Sequence, residues 1–276
     1  MLVNMQTLLE IAEKKQCAIP AFNVYNQETA MGVLAAAEES KSGVIVQMYS
    51  RLFSNTEAEF LAPALVEAAR RAKVPVAFHL DHGADDDAVS RAFRWGCTSI
   101  MRDASTLPLA ENITATRKVV ELCKPVNVSV EGELGHIGTT KEALPTEYTR
   151  VEEAVEYVEK TGVDALAIMV GTAHGKYQQA PEIAIDRIRA IKAAVPAALV
   201  LHGGSGIPDE QIVASIQAGI RKINFGTDVC YAFLDQVFAT SRDIFAVDLF
   251  MRDAVAAVRR FAQSKIKLLG AEGSHA

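Results

Sequence analysis

Short runs of apolar and β-branched residues alternate along this chain with longer runs in which apolar residues recur every three to four positions. The short runs predict strands over 18–24, 43–48, 74–80, 98–102, 126–131, 165–170, 197–201 and 221–225. The longer ones predict helices over 28–39, 56–71, 85–95, 109–123, 151–160, 181–194 and 209–218. Asn26, Asp85 and the pair Pro208-Asp209 stand where helix starts need them. The run Asp85-Asp86-Asp87 reads as an N-cap followed by first-turn acids, which favour the positive end of a helix. A helix within residues 1–16 precedes the first strand, and helices over 227–240 and 249–265 follow the last. Eight strands, each followed by a helix, predict an α/β fold of the (β/α)8 TIM-barrel type. An open doubly wound sheet is the alternative, and the count of eight together with the length favours the barrel. No linker or low-complexity segment breaks the rhythm. Residues 1–276 are therefore expected to form a single domain, with a C-terminal helical extension over about 241–276.

Composition narrows the partners. Half of the 276 residues are hydrophobic and 22% are charged, too much apolar side chain for a disordered chain. The formal net charge of −6 disfavours nucleic acid and anionic membranes, both of which attract basic surfaces. The longest apolar runs, such as 165–170 and 193–201, fall short of the ~20 residues a membrane span needs. Residues 1–16 lack the basic, apolar and small-residue succession of a secretory signal, so a cytoplasmic location is expected. Cys17, Cys97, Cys123 and Cys230 have no metal-site or disulfide spacing and are expected to be reduced, buried and structural.

In a barrel of this type the chemistry sits where strands end. Asn23 follows the first strand, Asp81-His82-Gly83 the third and Asp103 the fourth. Glu131 and Glu133 close the fifth, and Gly171-Thr172-Ala173-His174-Gly175 follows the sixth. His202-Gly203-Gly204-Ser205-Gly206 follows the seventh and Asn224-Phe225-Gly226-Thr227 the eighth. Of six histidines, His82, His174 and His202 thus fall on one face, and three neutral imidazoles suit a catalytic Zn2+ with one open position. His79 is expected to be packed within a strand, while His136 lies in a loop and His275 in the tail. Asp81 is either an orienter of a metal histidine or a proton-transfer group. Asp103, Glu131 and Glu133 are acceptors for water or a cation at the barrel mouth. The glycine-rich turns after the last two strands are where barrels often hold phosphate on exposed amides. Amides and a metal give an acidic protein the local positive potential that an anion needs.

Five segments in order carry a resemblance. They are Phe78-His79-Leu80-Asp81-His82-Gly83, Glu131-Gly132-Glu133-Leu134-Gly135, Gly171-Thr172-Ala173-His174-Gly175, Leu201-His202-Gly203-Gly204-Ser205-Gly206 and Ile223-Asn224-Phe225-Gly226-Thr227. Together they resemble the class II, zinc-dependent ketose-bisphosphate aldolases, over nearly the whole chain. The resemblance implies reversible cleavage of a fructose- or tagatose-type 1,6-bisphosphate to dihydroxyacetone phosphate and an aldehyde such as glyceraldehyde 3-phosphate. It implies one zinc on His82, His174 and His202, and a monovalent cation, Na+ or K+, near the phosphate loops. It makes Asp81 the group that exchanges a proton with the C4 oxygen, and Asn23 a substrate contact. Gly175, Gly203, Gly204, Ser205, Asn224, Phe225, Gly226 and Thr227 would hold the phosphate of dihydroxyacetone phosphate. Arg252 matches an arginine that reaches the distal phosphate, often from a neighbouring subunit, which implies a homodimer or homotetramer. Cleavage leaves an enediolate that needs an electron sink, the role zinc takes here and a Schiff base takes elsewhere.

Two stretches depart from the family pattern. The loop over 138–148 is shorter and less acidic than in many members, leaving Glu142, then Glu147, as the base for the enediolate carbon. The stretch Gln47-Met48-Tyr49-Ser50-Arg51 replaces a Ser/Gly-rich turn; Arg51 either adds phosphate affinity or begins a helix. The short chain and the small Gly226 favour the tagatose type. Competing readings are the same chemistry on another phosphorylated ketose, a non-catalytic aldolase partner subunit, a zinc hydrolase, and a Schiff-base lyase using Lys176 or Lys222. Lys222 stands at the wrong end of its strand for that last role.

Overall fold

The computed structural model describes residues 1–141, 148–177 and 179–275. In chain order the elements are α1 (Met5–Lys15), β1 (Ile19–Asn23), α2 (Gln27–Glu39), β2 (Val44–Tyr49), α3 (Ser50–Phe53), α4 (Glu57–Arg71), β3 (Val76–Gly83), α5 (Asp86–Arg94), β4 (Ser99–Arg102) and α6 (Leu109–Cys123). They continue as β5 (Ser129–Leu134), α7 (Val151–Thr161), β6 (Ala165–Ile168), α8 (Ile185–Ala194), β7 (Ala198–Leu201), α9 (Asp209–Ala218), β8 (Ile220–Phe225), α10 (Thr227–Ala239) and α11 (Val247–Leu268). All neighbouring strands are parallel, and β8 pairs with β1 to close the eight-stranded barrel.

Strand alternation sorts the core into two layers. Outward side chains such as Phe22, Val46, Phe78, Ile100, Leu166, Leu199, Ile223 and Phe225 pack under the helices in one cluster. Inward Ile19, Ala21, Ile45, Ala77, Ala165, Ala167 and Val200 fill the lower barrel together with Met5, Leu8, Leu9 and Ala12 of α1, which closes that end. Above this plug the inward positions turn polar: Gln47, His79, Ser99, Glu131 and Lys222 are all buried. The hydrophobic filling therefore stops partway up, and the upper barrel is free for chemistry.

The start signals act as expected. Asn26 and Thr29 form a reciprocal capping box on α2, and the Asp85 carboxylate accepts from Ala88 N at 2.8 Å. Several boundaries differ. The helix expected over 181–194 begins only at Ile185, because Ile183 N donates to the Gln211 side chain and Ala184 N to Val170 O. The fifth strand runs three residues further, so Glu133 lies inside it; a 3-10 turn over Lys124–Val126 and the left-handed Asn127 delay its start. The departing stretch over 47–51 runs into α3, a short helix that the apolar spacing does not announce. Cys17, Cys97 and Cys123 are buried free thiols, but Cys230 on α10 is only half-buried. α11 packs along α2 and α10 outside the barrel. No helix among the described residues is long and apolar enough to cross a membrane.

Candidate active site

A cavity of about 350 Å³ opens at the strand C-termini. Asn23, Asp81, His82, Asp103, His174, Gly175, Gly203, Ser205, Asn224, Gly226 and Thr227 line it. His82 and His174 have ring centroids 4.8 Å apart, as do His82 and His202. One ring nitrogen from each of the three falls within 4.8 Å of the others.

Asp81 and His82 share this wall through a break in β3. Consecutive strand residues normally point to opposite faces. His82 takes a left-handed φ of +54°, and the β3–β4 register shifts between Leu80 and Gly83. Such a backbone is costly for a residue other than glycine. Its effect is to bring the imidazole round to the side that Asp81 already faces.

The outer nitrogens of two histidines are held by carboxylates. His82 Nδ1 donates to Asp103 Oδ2 at 2.7 Å, and His202 Nε2 to Glu131 Oε1 at 2.8 Å. Their inner nitrogens, His82 Nε2 and His202 Nδ1, then face each other at 3.1 Å. Two imidazole lone pairs at that distance repel unless a proton or cation stands between them. Burial opposes charge on His82, but Asp81, Asp103 and Glu133 outweigh it and raise its pKa to about 9. Burial and the neighbouring His82 and His202 lower His174 to about 3, keeping it neutral. With the His82 proton displaced, the three imidazoles, two of them oriented from behind by carboxylates, are the donor set of a divalent metal. The residues fit such an ion.

The carboxylates divide. Burial would raise Asp81, but the charges of His82, His202 and Lys222 and hydrogen bonding from Asn23 hold it below its ordinary value. Asn23 Nδ2 donates to Asp81 Oδ2 at 2.7 Å, Asn224 Nδ2 to Oδ1 at 3.3 Å, and Gln47 fixes Asn23 by donating to its carbonyl at 2.9 Å. Glu131 is not a mouth acceptor. It lies fully buried beneath His202, 2.7 Å from Lys222 Nζ, whose charge keeps it ionised against the cost of burial. Glu133 accepts from Ile137 N with one oxygen; its other oxygen is buried without a hydrogen-bond partner among the described residues, 3.8 Å from His202 Nδ1. Burial and the nearby Asp103 raise its pKa to about 8. His82, Asp103 and Glu133 form a second group able to share an ion.

The loops after β6 and β7 meet around Tyr177. Its hydroxyl donates to Ala173 O at 2.8 Å and accepts from Ala173 N, beside Gly203 O at 3.1 Å. Gly203 has φ +65°, and a Cβ there would stand 2.3 Å from Ala173 O, so only glycine lets the two loops approach. Ser205 Oγ accepts from Asp228 N in the first turn of α10, the helix that begins at Thr227. Backbone amides and a helix N-terminus thus border the cavity here. Gly204 and Phe225 do not line it. Asn224 faces inward, so Phe225 faces outward and packs on Phe22 and Phe261. Arg252 is exposed on α11, 3.7 Å from Asp253, and reaches no part of this chain's cavity. Glu142 and Glu147 lie outside the described residues.

Comparison with known proteins shows the family. The sequence model of the fructose-bisphosphate aldolase class-II family matches residues 3–274. The chain belongs to this family. It is a class II aldolase, a carbon–carbon lyase. It is 38% identical over 277 residues to the 6-phospho-5-dehydro-2-deoxy-D-gluconate aldolase of Shouchella clausii, covering 98% of this chain and 94% of that one. It is 36% identical over 238 residues to the sulfofructosephosphate aldolase of Alkalicoccus urumqiensis, covering 84% and 83%. The crystal structure of the YdjI aldolase of Escherichia coli K12 superposes with a TM-score of 0.92 at 37% identity, over 100% of both chains.

Several residues of this aldolase site escaped the strand-end reading. Tyr25, Tyr49, His136 and Thr139 line the cavity, and Gln47, Tyr177 and Lys222 support it. Lys222 and Glu131 did leave a signal: opposite charges inside two barrel strands need each other when buried.

Proposed function

We propose that the chain cleaves a phosphorylated ketose between C3 and C4, reversibly, giving dihydroxyacetone phosphate and an aldehyde. The observation that carries this is the facing pair of inner nitrogens, His82 Nε2 and His202 Nδ1, beside Asp81 and the β7–β8 amides. His82, His174 and His202 would hold Zn2+, a Lewis acid for the ketose oxygens at C2 and C3. Asp81 takes the C4 hydroxyl proton in cleavage and returns it in condensation. Asn23 and Asn224 keep its carboxylate aimed and ionised. The amides of Gly175, Gly203, Ser205 and Thr227 receive the 1-phosphate at the start of α10. Glu142 moves the proton at the carbon that carried the aldehyde half.

A fructose- or tagatose-type 1,6-bisphosphate fits this chemistry, with glyceraldehyde 3-phosphate as the aldehyde. The two named relatives describe phosphorylated sugars with a second acidic group, a gluconate carboxylate and a sulfo group, so the far end of the substrate is the variable part. Phe238, Phe245 and Val247 stand exposed on and beside α10 and α11. A second copy covering them would form the homo-oligomer and give Arg252 a route to a neighbouring cavity. A cytoplasmic location completes the reading.

Dialysis against a chelator, followed by a coupled assay for dihydroxyacetone phosphate released from C4-epimeric ketose bisphosphates and monophosphates, tests it. Release should stop without metal and return with Zn2+. Release that survives metal removal overturns the reading.

A further inference from the structure

The β2 side of the cavity ends in Tyr49 and passes directly into α3, which places Arg51 on the lining. Tyr49 pairs in register with Asp81, and its ring centre lies 5.7 Å from that of His82. The Arg51 guanidinium carbon lies 5.6 Å from the centre of the Tyr49 ring. Asp81, Tyr49 and Arg51 therefore form a row that leads from the buried carboxylate to an exposed cation.

Among the described residues that line the cavity, Arg51 is the sole lysine or arginine. Its guanidinium makes no ion pair or hydrogen bond with another described residue and lies over the Tyr49 ring face. Stacking on an aromatic ring orients a guanidinium while leaving its N–H donors free. Those donors form a planar fork that matches phosphate, sulfonate or carboxylate oxygens. Arg252, by contrast, has 71% of its side chain exposed on α11, outside this cavity.

We propose that Arg51 binds an anionic group at the end of the aldehyde half of the substrate and so selects among phosphorylated ketoses. The assignment rests on the aldolase reading of the same cavity: it is a substrate with its C4 oxygen at Asp81 whose remaining carbons run past Tyr49. A neutral-ended ketose phosphate would leave the guanidinium without a partner.

The test is binding of hexitol 1-phosphates to the zinc-loaded protein by calorimetry. One hexitol chain carries a phosphate, a sulfonate, a carboxylate or a neutral hydroxyl at C6. None of these polyols has the ketone that turnover requires. The wild type should prefer at least one charged end over the hydroxyl, and the best of the three names the anion. Arg51→Met, which keeps the apolar stem, should reduce that preference about thirtyfold. Arg51→Lys should restore part of it, as a point charge without the fork. The neutral polyol reports the 1-phosphate site and the integrity of the variant; if Arg51→Met loses that probe, Arg51→Gln carries the same comparison. No preference in the wild type, or a fall of less than fivefold, overturns the assignment. A protein that shows the Arg51-dependent preference yet releases no dihydroxyacetone phosphate from any ketose phosphate overturns the aldolase reading instead.

Discussion

Asp81 Oδ1 and His82 Nε2 lie 3.9 Å apart on one cavity wall, although the two residues are consecutive at the end of a strand. The left-handed backbone at His82 makes this possible, and Gly83 supports it. A Cβ on Gly83 would stand 2.6 Å from Met101 O, so the kinked strand is packed tightly on β4. On the proposed reading the pair would couple a metal-binding donor to a proton-transfer group at fixed distance.

Asp81→Asn keeps the shape of this wall and removes the base. The turnover rate should fall by about 10²–10⁴ while zinc stoichiometry, read by elemental analysis, stays at the wild-type value. Parallel loss of metal would place Asp81 among the metal-binding groups.

Asn23 donates to the Asp81 carboxylate and so favours its charged form. Removing a donor to an anion raises its pKa. The acid limb of kcat/KM against pH should therefore move to higher pH in Asn23→Ala. Gln47→Leu frees the Asn23 amide to turn and should move the limb the same way by a smaller amount. An unmoved acid limb in both variants would separate Asp81 from the rate.

Much of the fold and of the candidate site is legible in the sequence. Periodicity marked all eight strands, and the residues just after them included the three histidines and Asp81. Alternation explains the parts that are not. Whether a strand-end residue faces the cavity depends on parity and on bulges, so the motif places Phe225 with the phosphate loop although its neighbour Asn224 takes the inward position. His82 shows the reverse, since only a backbone irregularity turns it inward. A long-range partner such as Tyr177 for Gly203 leaves no local spacing to read.

Lys222 is fully buried against Glu131, which faces His202 on its other side. Breaking a buried pair leaves an uncompensated charge, so Lys222→Met should cost about 3–5 kcal/mol at pH 7 in urea unfolding. Burial raises the Glu131 pKa, but Lys222, His202 and His79 hold it below the ordinary carboxylate value. A carboxylate lowered on folding adds stability above its unfolded pKa and loses that contribution as pH falls. The variant's unpaired Glu131 binds a proton in the folded state instead. The stability gap should accordingly narrow from pH 7 to pH 4. The same burial predicts that borohydride with a ketose phosphate traps no adduct on Lys222. A trapped adduct there would revive the Schiff-base reading.

Glu142, read from the sequence as the second base, should govern one half-reaction alone. In Glu142→Gln, exchange of the dihydroxyacetone phosphate carbon-bound proton with deuterated water should slow by at least tenfold, followed by NMR. Zinc content should be unchanged. Wild-type exchange in Glu142→Gln together with slow exchange in Glu147→Gln would transfer the role to Glu147.

Asp103 grips His82 from behind at 2.7 Å, and burial notwithstanding, the charge and hydrogen bond of His82 hold its carboxyl below the ordinary range. Ser105 adds two hydrogen bonds to the other carboxylate oxygen, so Asp103 is itself positioned. Its negative charge raises the basicity of the inner nitrogen and fixes which nitrogen faces the cluster. Asp103→Asn preserves size and one acceptor but removes that charge. Zinc affinity, measured by competition with a chromogenic chelator, should fall about 10–100-fold. With saturating zinc, turnover should recover most of its wild-type value, because the reacting groups are intact. Unchanged affinity would assign Asp103 to the second ion-binding group with Glu133 rather than to the support of His82.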